Sequence, residues 1–85
     1  MREITYTIKD AQGIHARPAG LLVKKLKEFS SEPALLKAGK SIDPRRMMAL
    51  MGLGIKCGET ITITFNGADE DLAAEALEAF LQDNL

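Results

Sequence analysis

The stretch GIHARPAG, residues 13–20, holds the only histidine of the 85-residue chain and an arginine two positions later. A histidine ring nitrogen is a nucleophile, and the planar guanidinium of an arginine suits phosphate oxygens. Because proline is tolerated only in the first turn of a helix, Pro18 requires a helix to begin within a residue or two of His15. The first N–H groups of that helix lack internal partners and favour an anion. Together these groups could place a phosphoryl group on His15 and hold it with the backbone amides of Ala16 and Arg17 and the Arg17 side chain.

Other interpretations of this stretch have to be weighed against that chemistry. A lone histidine is most often an ordinary surface residue, and this interpretation stays open from the residues alone. No second histidine and no cluster of cysteines offers ligands to a metal, so we expect no metal. The chain also lacks a nucleotide-binding glycine loop and a Ser/His/Asp set, so we expect no cofactor and no small substrate of its own.

The composition excludes several classes of protein. A formal net charge of −1 argues against a nucleic-acid partner, which would need a basic face. No window approaches the roughly 20 apolar residues of a membrane span, so we expect no membrane insertion. Cys57 is the only cysteine, which excludes a disulfide within the chain and fits a cytoplasmic location. We expect its thiol to be buried or half-buried.

Hydrophobic periodicity predicts two strands and two long helices. Apolar residues alternate with polar ones in residues 2–8 and 59–65, as in half-buried strands. Over residues 16–28 the apolar residues recur every three or four positions, which predicts an amphipathic helix. A second apolar stripe runs from Asp69, the expected N-cap, to the C-terminus, and predicts the last helix.

The middle of the chain predicts shorter elements. Ala38 and Gly39 are suited to a two-residue hairpin turn between short strands. Asp43 is a good N-cap and Pro44 a good first residue for a helix of about two turns. The resulting order, β-α-β-β-α-β-α, predicts an α+β fold in which three helices cover one face of a four-stranded antiparallel sheet.

The sequence resembles the HPr family, the histidine-containing phosphocarriers of the bacterial phosphoenolpyruvate:sugar phosphotransferase system. GIHARPAG is similar to the active-site signature of that family, and GKS (39–41), MGLGIKCGETITI (51–63) and GADED (67–71) match it in register and order. The resemblance covers essentially the whole chain and implies a single HPr domain over residues 1–85, with the open-faced β-sandwich of the family.

The resemblance also implies an activity and partners. His15 would accept a phosphoryl group on Nδ1 from phosphorylated enzyme I, with help from Arg17, and pass it to IIA domains of sugar transporters. Such a chain is a carrier rather than a free-standing enzyme, and we expect a monomer. By position, the partner surface would comprise Ala16, Gly20, Leu21, Met47, Met48 and Met51. Flexible thioethers suit a surface that accepts several partners, and the small Gly13 and Ala16 would leave room for them.

One position departs from the family pattern. Many relatives carry a regulatory serine at the start of the second helix, where this chain has Arg46, which cannot accept a phosphate. This departure leaves two alternatives open: an HPr paralogue in a nitrogen-type or dihydroxyacetone kinase circuit, or a regulatory binding module that is not phosphorylated. In known regulatory relatives the histidine is replaced, so the presence of His15 and Arg17 weighs against the second.

Overall fold

Four strands form one antiparallel sheet, in the spatial order β1-β4-β2-β3, in the computed structural model, which describes residues 1–85. The elements, in chain order, are β1 (Arg2–Thr7), α1 (Ala16–Leu26), β2 (Glu32–Lys37), β3 (Lys40–Ile42), α2 (Met47–Gly52), β4 (Thr60–Asn66) and α3 (Glu70–Asn84). The predicted α+β order is confirmed, including the hairpin turn at Ala38 and Gly39, whose φ angles of 49° and 81° suit the primed turns of hairpins.

The two faces of the sheet differ in character because side chains alternate along each strand. Ile63 of β4 lies between Ile4 of β1 and Leu35 of β2, and all three are buried. On the opposite face Thr60 stands across from Thr7, and their hydroxyls are 2.8 Å apart. The apolar face therefore packs under the helices, and the threonine face stays open.

The helices bury their apolar stripes against the sheet. Apart from Pro18, the buried residues of α1 and α3 belong to one cluster of 17 apolar residues; they are Ala19, Leu22, Leu26, Ala73, Ala74, Leu77 and Leu81. The sequence predicts that the stripe of α3 comprises Ala73, Ala76, Leu77, Phe80 and Leu81. In the structure Ala74 is buried as well, while Ala76 and Phe80 are only half-buried against the core. Burial of the apolar stripe of α1 holds that helix against the sheet, and its first turn carries the candidate site.

Helix α2 begins three residues later than the sequence predicts. The expected N-cap at Asp43 and first residue at Pro44 are wrong, because the N-cap is Arg46. The Asp43 carboxylate instead accepts the backbone N–H of Arg45 at 2.9 Å and pairs with its guanidinium at 2.9 Å. The side-chain hydrogen bond from Arg45 also lowers the pKa of Asp43. A carboxylate engaged in this local turn cannot cap the helix.

The last helix begins where predicted, but its N-cap side chain has another partner. Asp69 occupies the N-cap position without capping α3. Its carboxylate accepts the N–H of Ser30 and of Ser31, each at 2.9 Å, and the hydroxyl of the buried Ser31. The Ser31 hydroxyl, followed by the backbone N–H groups, lowers the pKa of Asp69. These hydrogen bonds connect the loop between α1 and β2 to the start of α3.

Cys57 is exposed, so the predicted buried or half-buried thiol is wrong. The residue lies in a tight turn with Gly58, whose φ is 88° and whose N–H donates to the carbonyl of Ile8 at 2.8 Å. This turn directs Cys57 outward, and its Sγ donates to the Lys9 carbonyl at 3.7 Å. Ile55 is the residue of this segment that joins the core.

Candidate functional site

His15 stands at the boundary between the extended chain and α1. It is the N-cap residue, with φ −98° and ψ −179°, and its carbonyl accepts the N–H of Ala19 at 2.9 Å. Pro18 has no N–H, and the N–H groups of Ala16 and Arg17 donate to no acceptor within the protein. The side chain of His15 is 38% exposed. The start of the helix therefore presents two free amides beside an accessible imidazole, as an anion site requires.

The imidazole borders an open depression of about 220 Å³. Its lining residues are Asp10, His15, Arg17, Pro18, Leu21 and Asn84. Arg17 is exposed and takes part in no ion pair, so its guanidinium is available to an anion in the depression. The structure thus brings together the two residues that the sequence singles out for phosphate chemistry.

Asp10 and Asn84 also line this depression, although no motif in the sequence points to either of them. Asp10 lies in the turn KDAQG, just ahead of the signature, and its side chain could be read only as a turn former. Asn84 is at the end of α3, and nothing in the local sequence connects it with His15. Its side-chain amide donates to the carbonyl of Phe80 at 2.9 Å.

The loop before His15 is held against a second loop. The N–H of Ile14 donates to the carbonyl of Ile55 at 3.0 Å. Gly13 has a φ of 66°, and a Cβ at this position would overlap the Ile55 carbonyl oxygen and lie 2.8 Å from Cα of Lys56. Gly13 is buried, so its small size serves this contact and not the approach of a partner as expected. Ala16, in contrast, is exposed at the helix start.

The loop that supports Ile55 is itself fixed by an ion pair. Lys37, whose side chain is only 16% exposed, lies 3.1 Å from a carboxylate oxygen of Glu59 and donates to the carbonyl of Leu53 at 3.1 Å. The other Glu59 oxygen accepts the N–H of Lys56 at 2.6 Å. The Lys56 amide, followed by Lys37, lowers the pKa of Glu59. These contacts span the segment against which Gly13 packs.

The predicted partner surface spans the contact between α1 and α2. Ala16, Gly20 and Leu21 are exposed on α1, and Leu21 lies outside the core stripe of that helix. On α2, Met48 is 84% exposed and Met51 is 36% exposed, whereas Met47 is half-buried against the core. Their contact with partners stays a prediction.

Positive charge flanks this surface at the start of α2. Arg46 is exposed and makes no ion pair, whereas Arg45 is held by Asp43. No acidic residue lies in the first turn of α2. Arg46, which the resemblance in sequence matches to a regulatory serine, is thus an unpaired cation.

No group of three or more His, Cys, Asp or Glu side chains converges in a way that could hold a metal ion. None of the three helices has the length and apolar character needed to cross a membrane. What the depression offers is a nucleophilic ring, two free amides and a free guanidinium, which together suit a phosphoryl group.

Comparison with known proteins decides the family. A family model described as the PTS HPr component phosphorylation site matches residues 2–83. The chain belongs to the HPr family. Among curated members of the HPr family, the phosphocarrier protein HPr of Mycoplasma genitalium is 40% identical over 85 residues, covering 99% of this chain and 97% of that protein. The HPr-like protein Crh of Halalkalibacterium halodurans is 42% identical over 82 residues, covering 96% and 98%.

Solved structures of HPr proteins share the fold. The crystal structure of HPr-C-His from Thermoanaerobacter tengcongensis superposes with a TM-score of 0.94 at 34% identity, covering 99% of this chain and 94% of that one. The HPr dimer from the same organism gives a TM-score of 0.77 at 35% identity, covering 98% and 95%. The open four-stranded sheet with three helices is therefore an HPr fold, and HPr proteins occur in dimeric form as well.

Proposed function

We propose that this chain is a phosphocarrier that accepts a phosphoryl group on His15 from phosphorylated enzyme I and passes it to IIA domains of sugar transporters. The observation that carries the proposal is the position of His15, half-exposed at the N-cap of α1 beside the unpaired amides of Ala16 and Arg17. Membership of the HPr family supports the same activity.

The transfer uses groups that line the depression. The lone pair of His15 Nδ1 attacks the phosphorus, and the bond from phosphorus to the donor atom breaks with its electron pair leaving on the donor. The ring keeps its proton on Nε2. The amides of Ala16 and Arg17 and the Arg17 guanidinium donate to the phosphoryl oxygens, whose charge they stabilise. In the second transfer a nucleophile of the next acceptor attacks the phosphorus, and the bond from phosphorus to Nδ1 breaks with its electron pair returning to Nδ1, which leaves the neutral ring with its proton on Nε2.

Partners dock around the imidazole in this proposal. The exposed face of Ala16, Gly20 and Leu21 on α1 and of Met48 and Met51 on α2 supplies apolar contact, and Met47 supports it from below. The carrier acts in the cytoplasm as a single domain of residues 1–85 and as a monomer, a form that leaves the depression open to both partners in turn. A dimer that covered this face would block transfer.

The proposal is tested with enzyme I and phosphoenolpyruvate. We expect the protein to gain the mass of one phosphate, with a bond that is labile in acid and stable in alkali, as a phosphoramidate is. His15→Ala, which alters an accessible side chain, should fold normally and gain no phosphate. A gain that persists in His15→Ala would place the phosphate elsewhere and contradict the proposal.

A second candidate function is a regulatory binding module that uses the same scaffold without phosphorylation. The 42% identity to the HPr-like protein Crh is the observation that favours it. The free Arg46 at the start of α2 separates this chain from relatives that are regulated by a serine kinase, whichever function holds. Failure of every enzyme I to phosphorylate the chain would favour the binding module.

The circuit that the carrier serves is a separate question from the carrier chemistry. Enzyme I proteins of the sugar type, of the nitrogen type and of a dihydroxyacetone kinase system can be compared as donors at equal concentration. The sugar circuit predicts the fastest phosphorylation with sugar-type enzyme I. A faster reaction with either of the other two would assign the chain to a paralogous circuit.

A further inference from the structure

We propose that Asp10 is a positioning residue for His15. Its carboxylate lies beside Nε2 and favours the proton on that nitrogen, which leaves the lone pair of Nδ1 free to react. The proposal rests on the phosphocarrier function above. Asp10 Oδ2 lies 3.8 Å from His15 Nε2, and both side chains line the same depression. The distance is that of an ion pair and not of a direct hydrogen bond, so the interaction is electrostatic.

The carboxylate of Asp10 is held in place by its own turn. Its Oδ1 accepts the N–H of Gln12 at 2.8 Å, and its carbonyl accepts the N–H of Gly13 at 2.9 Å. Its backbone N–H donates to Leu85 O at 2.8 Å. With Oδ1 engaged in this turn, Oδ2 is the oxygen left to face the imidazole, and it makes no hydrogen bond of its own.

The position of this charge selects one form of the neutral ring. A neutral imidazole carries one proton, on either nitrogen, and the nitrogen without it has the lone pair. A carboxylate beside Nε2 favours the proton there, because a proton on Nε2 places its partial positive charge nearer the carboxylate than a proton on Nδ1 does. Nδ1, which makes no hydrogen bond within the protein, is left with the free lone pair. That is the tautomer that attack on phosphorus from Nδ1 requires.

The same charge also acts after transfer. A ring that carries the phosphoryl group on Nδ1 and a proton on Nε2 has a positive ring charge that the unphosphorylated neutral ring lacks. The electrostatic attraction between the Asp10 carboxylate and the ring is therefore stronger after transfer than before it. This difference favours the phosphorylated carrier. Asp10 does not touch the phosphoryl group in this scheme and takes up no proton.

The test compares Asp10→Asn with a matched charge control. Asparagine keeps an oxygen that accepts the Gln12 amide, so the turn is retained while the charge is lost. Asp83→Asn is the control. It removes the same charge from the residue next to Asn84, which lines the depression, but the Asp83 side chain makes no hydrogen bond or ion pair. Asp10→Glu restores the charge in a slightly different place.

Two readouts separate positioning from folding. Long-range ¹H–¹⁵N spectra of the labelled ring at about pH 8.5, where an ordinary imidazole is neutral, give the ratio of the two tautomers. We expect Asp10→Asn to lower the ratio of the Nε2–H tautomer to the Nδ1–H tautomer about threefold, because the ring loses a partly exposed charged partner. The equilibrium constant for phosphoryl exchange with enzyme I should fall by a similar factor, about threefold, since the same charge is lost beside the phosphorylated ring.

The outcomes are distinguishable. Asp83→Asn should match the native protein in both readouts, and Asp10→Glu should recover part of the loss. An unchanged tautomer ratio in Asp10→Asn, or equal changes in Asp10→Asn and Asp83→Asn, would overturn the pairing and leave the phosphocarrier function standing. Native protein that enzyme I cannot phosphorylate would refute the proposed function, and with it the role of Asp10 in transfer, whatever the ring spectra show.

Discussion

Replacement of Gly13 by alanine tests how the site is positioned. A Cβ at Gly13 would overlap the Ile55 carbonyl oxygen and lie 2.8 Å from Cα of Lys56. Both obstacles are backbone atoms, so no side-chain rotation relieves the overlap. The loop must move, and the hydrogen bond from Ile14 N–H to Ile55 goes with it. His15, the next residue along the chain, should be displaced.

The expected cost has two parts. A non-glycine residue at a φ of 66° costs about 1 kcal/mol. Forcing packed backbone apart costs about 1–3 kcal/mol. The total of about 2–4 kcal/mol is a large part of the stability expected for a domain of this size, about 4–13 kcal/mol.

Gly39→Ala is the matched control. Gly39 also has a positive φ, of 81°, but a Cβ there meets no atom within 4 Å. Urea unfolding should therefore give a loss of about 1 kcal/mol for Gly39→Ala, the backbone cost alone. Phosphorylation by enzyme I, measured where each variant is folded, should slow in Gly13→Ala and stay native in Gly39→Ala. Equal losses of stability in the two variants, with equal transfer rates, would refute the reasoning.

Three further changes test separate contacts. Arg17→Ala should slow phosphoryl acceptance about tenfold or more, because a charged donor to the phosphate is lost, and should alter unfolding by less than about 0.5 kcal/mol. Lys37→Met should lower the midpoint of urea unfolding, because Glu59 loses its cation and the Leu53 carbonyl loses its donor. The lowered pKa of Asp69, caused first by the Ser31 hydroxyl, means that its stabilisation is complete above about pH 5 and is lost as pH falls through 4 and below. Asp69→Asn should lower the Tm at pH 7 and flatten the decline between about pH 5 and pH 3.

Each of these changes has a control on the same chain. Arg2→Ala removes an arginine whose ion pair is with Asp71, and should leave transfer unchanged. Lys40→Met removes an exposed lysine without an ion pair, and should leave stability unchanged. Asp83→Asn removes a carboxylate without a hydrogen bond, and should keep the native pH profile. A Tm drop in Arg17→Ala with native transfer, or a native pH profile in Asp69→Asn, would contradict the corresponding argument.

The sequence predicts those parts of the molecule that depend on local chemistry. Alternation in β1 and β4 gives the strands because only one face of the sheet is covered. Pro18 locates the start of α1, and with it the site at His15 and Arg17, because proline constrains the helix within a residue or two. The turn at Gly39 follows from glycine's freedom at positive φ.

The errors arise where a side chain has a partner that the sequence cannot reveal. The sequence predicts that Asp43 caps α2, but the Asp43 carboxylate accepts hydrogen bonds from the Arg45 guanidinium instead. Asp69 is bonded to Ser31, which lies 38 residues away in the chain. Asp10 faces His15 only because a turn folds back on itself, and no periodicity encodes that distance. Such contacts depend on tertiary structure, which a local pattern does not contain.

The central claim is that the start of α1 binds the phosphoryl group that His15 accepts. Amide spectra recorded before and after phosphorylation by enzyme I test it most directly. The account predicts that the amide protons of Ala16 and Arg17, which are free in the unmodified protein, move downfield on donating to the phosphoryl oxygens. Phosphorylation of His15 that leaves both amides unshifted would contradict it.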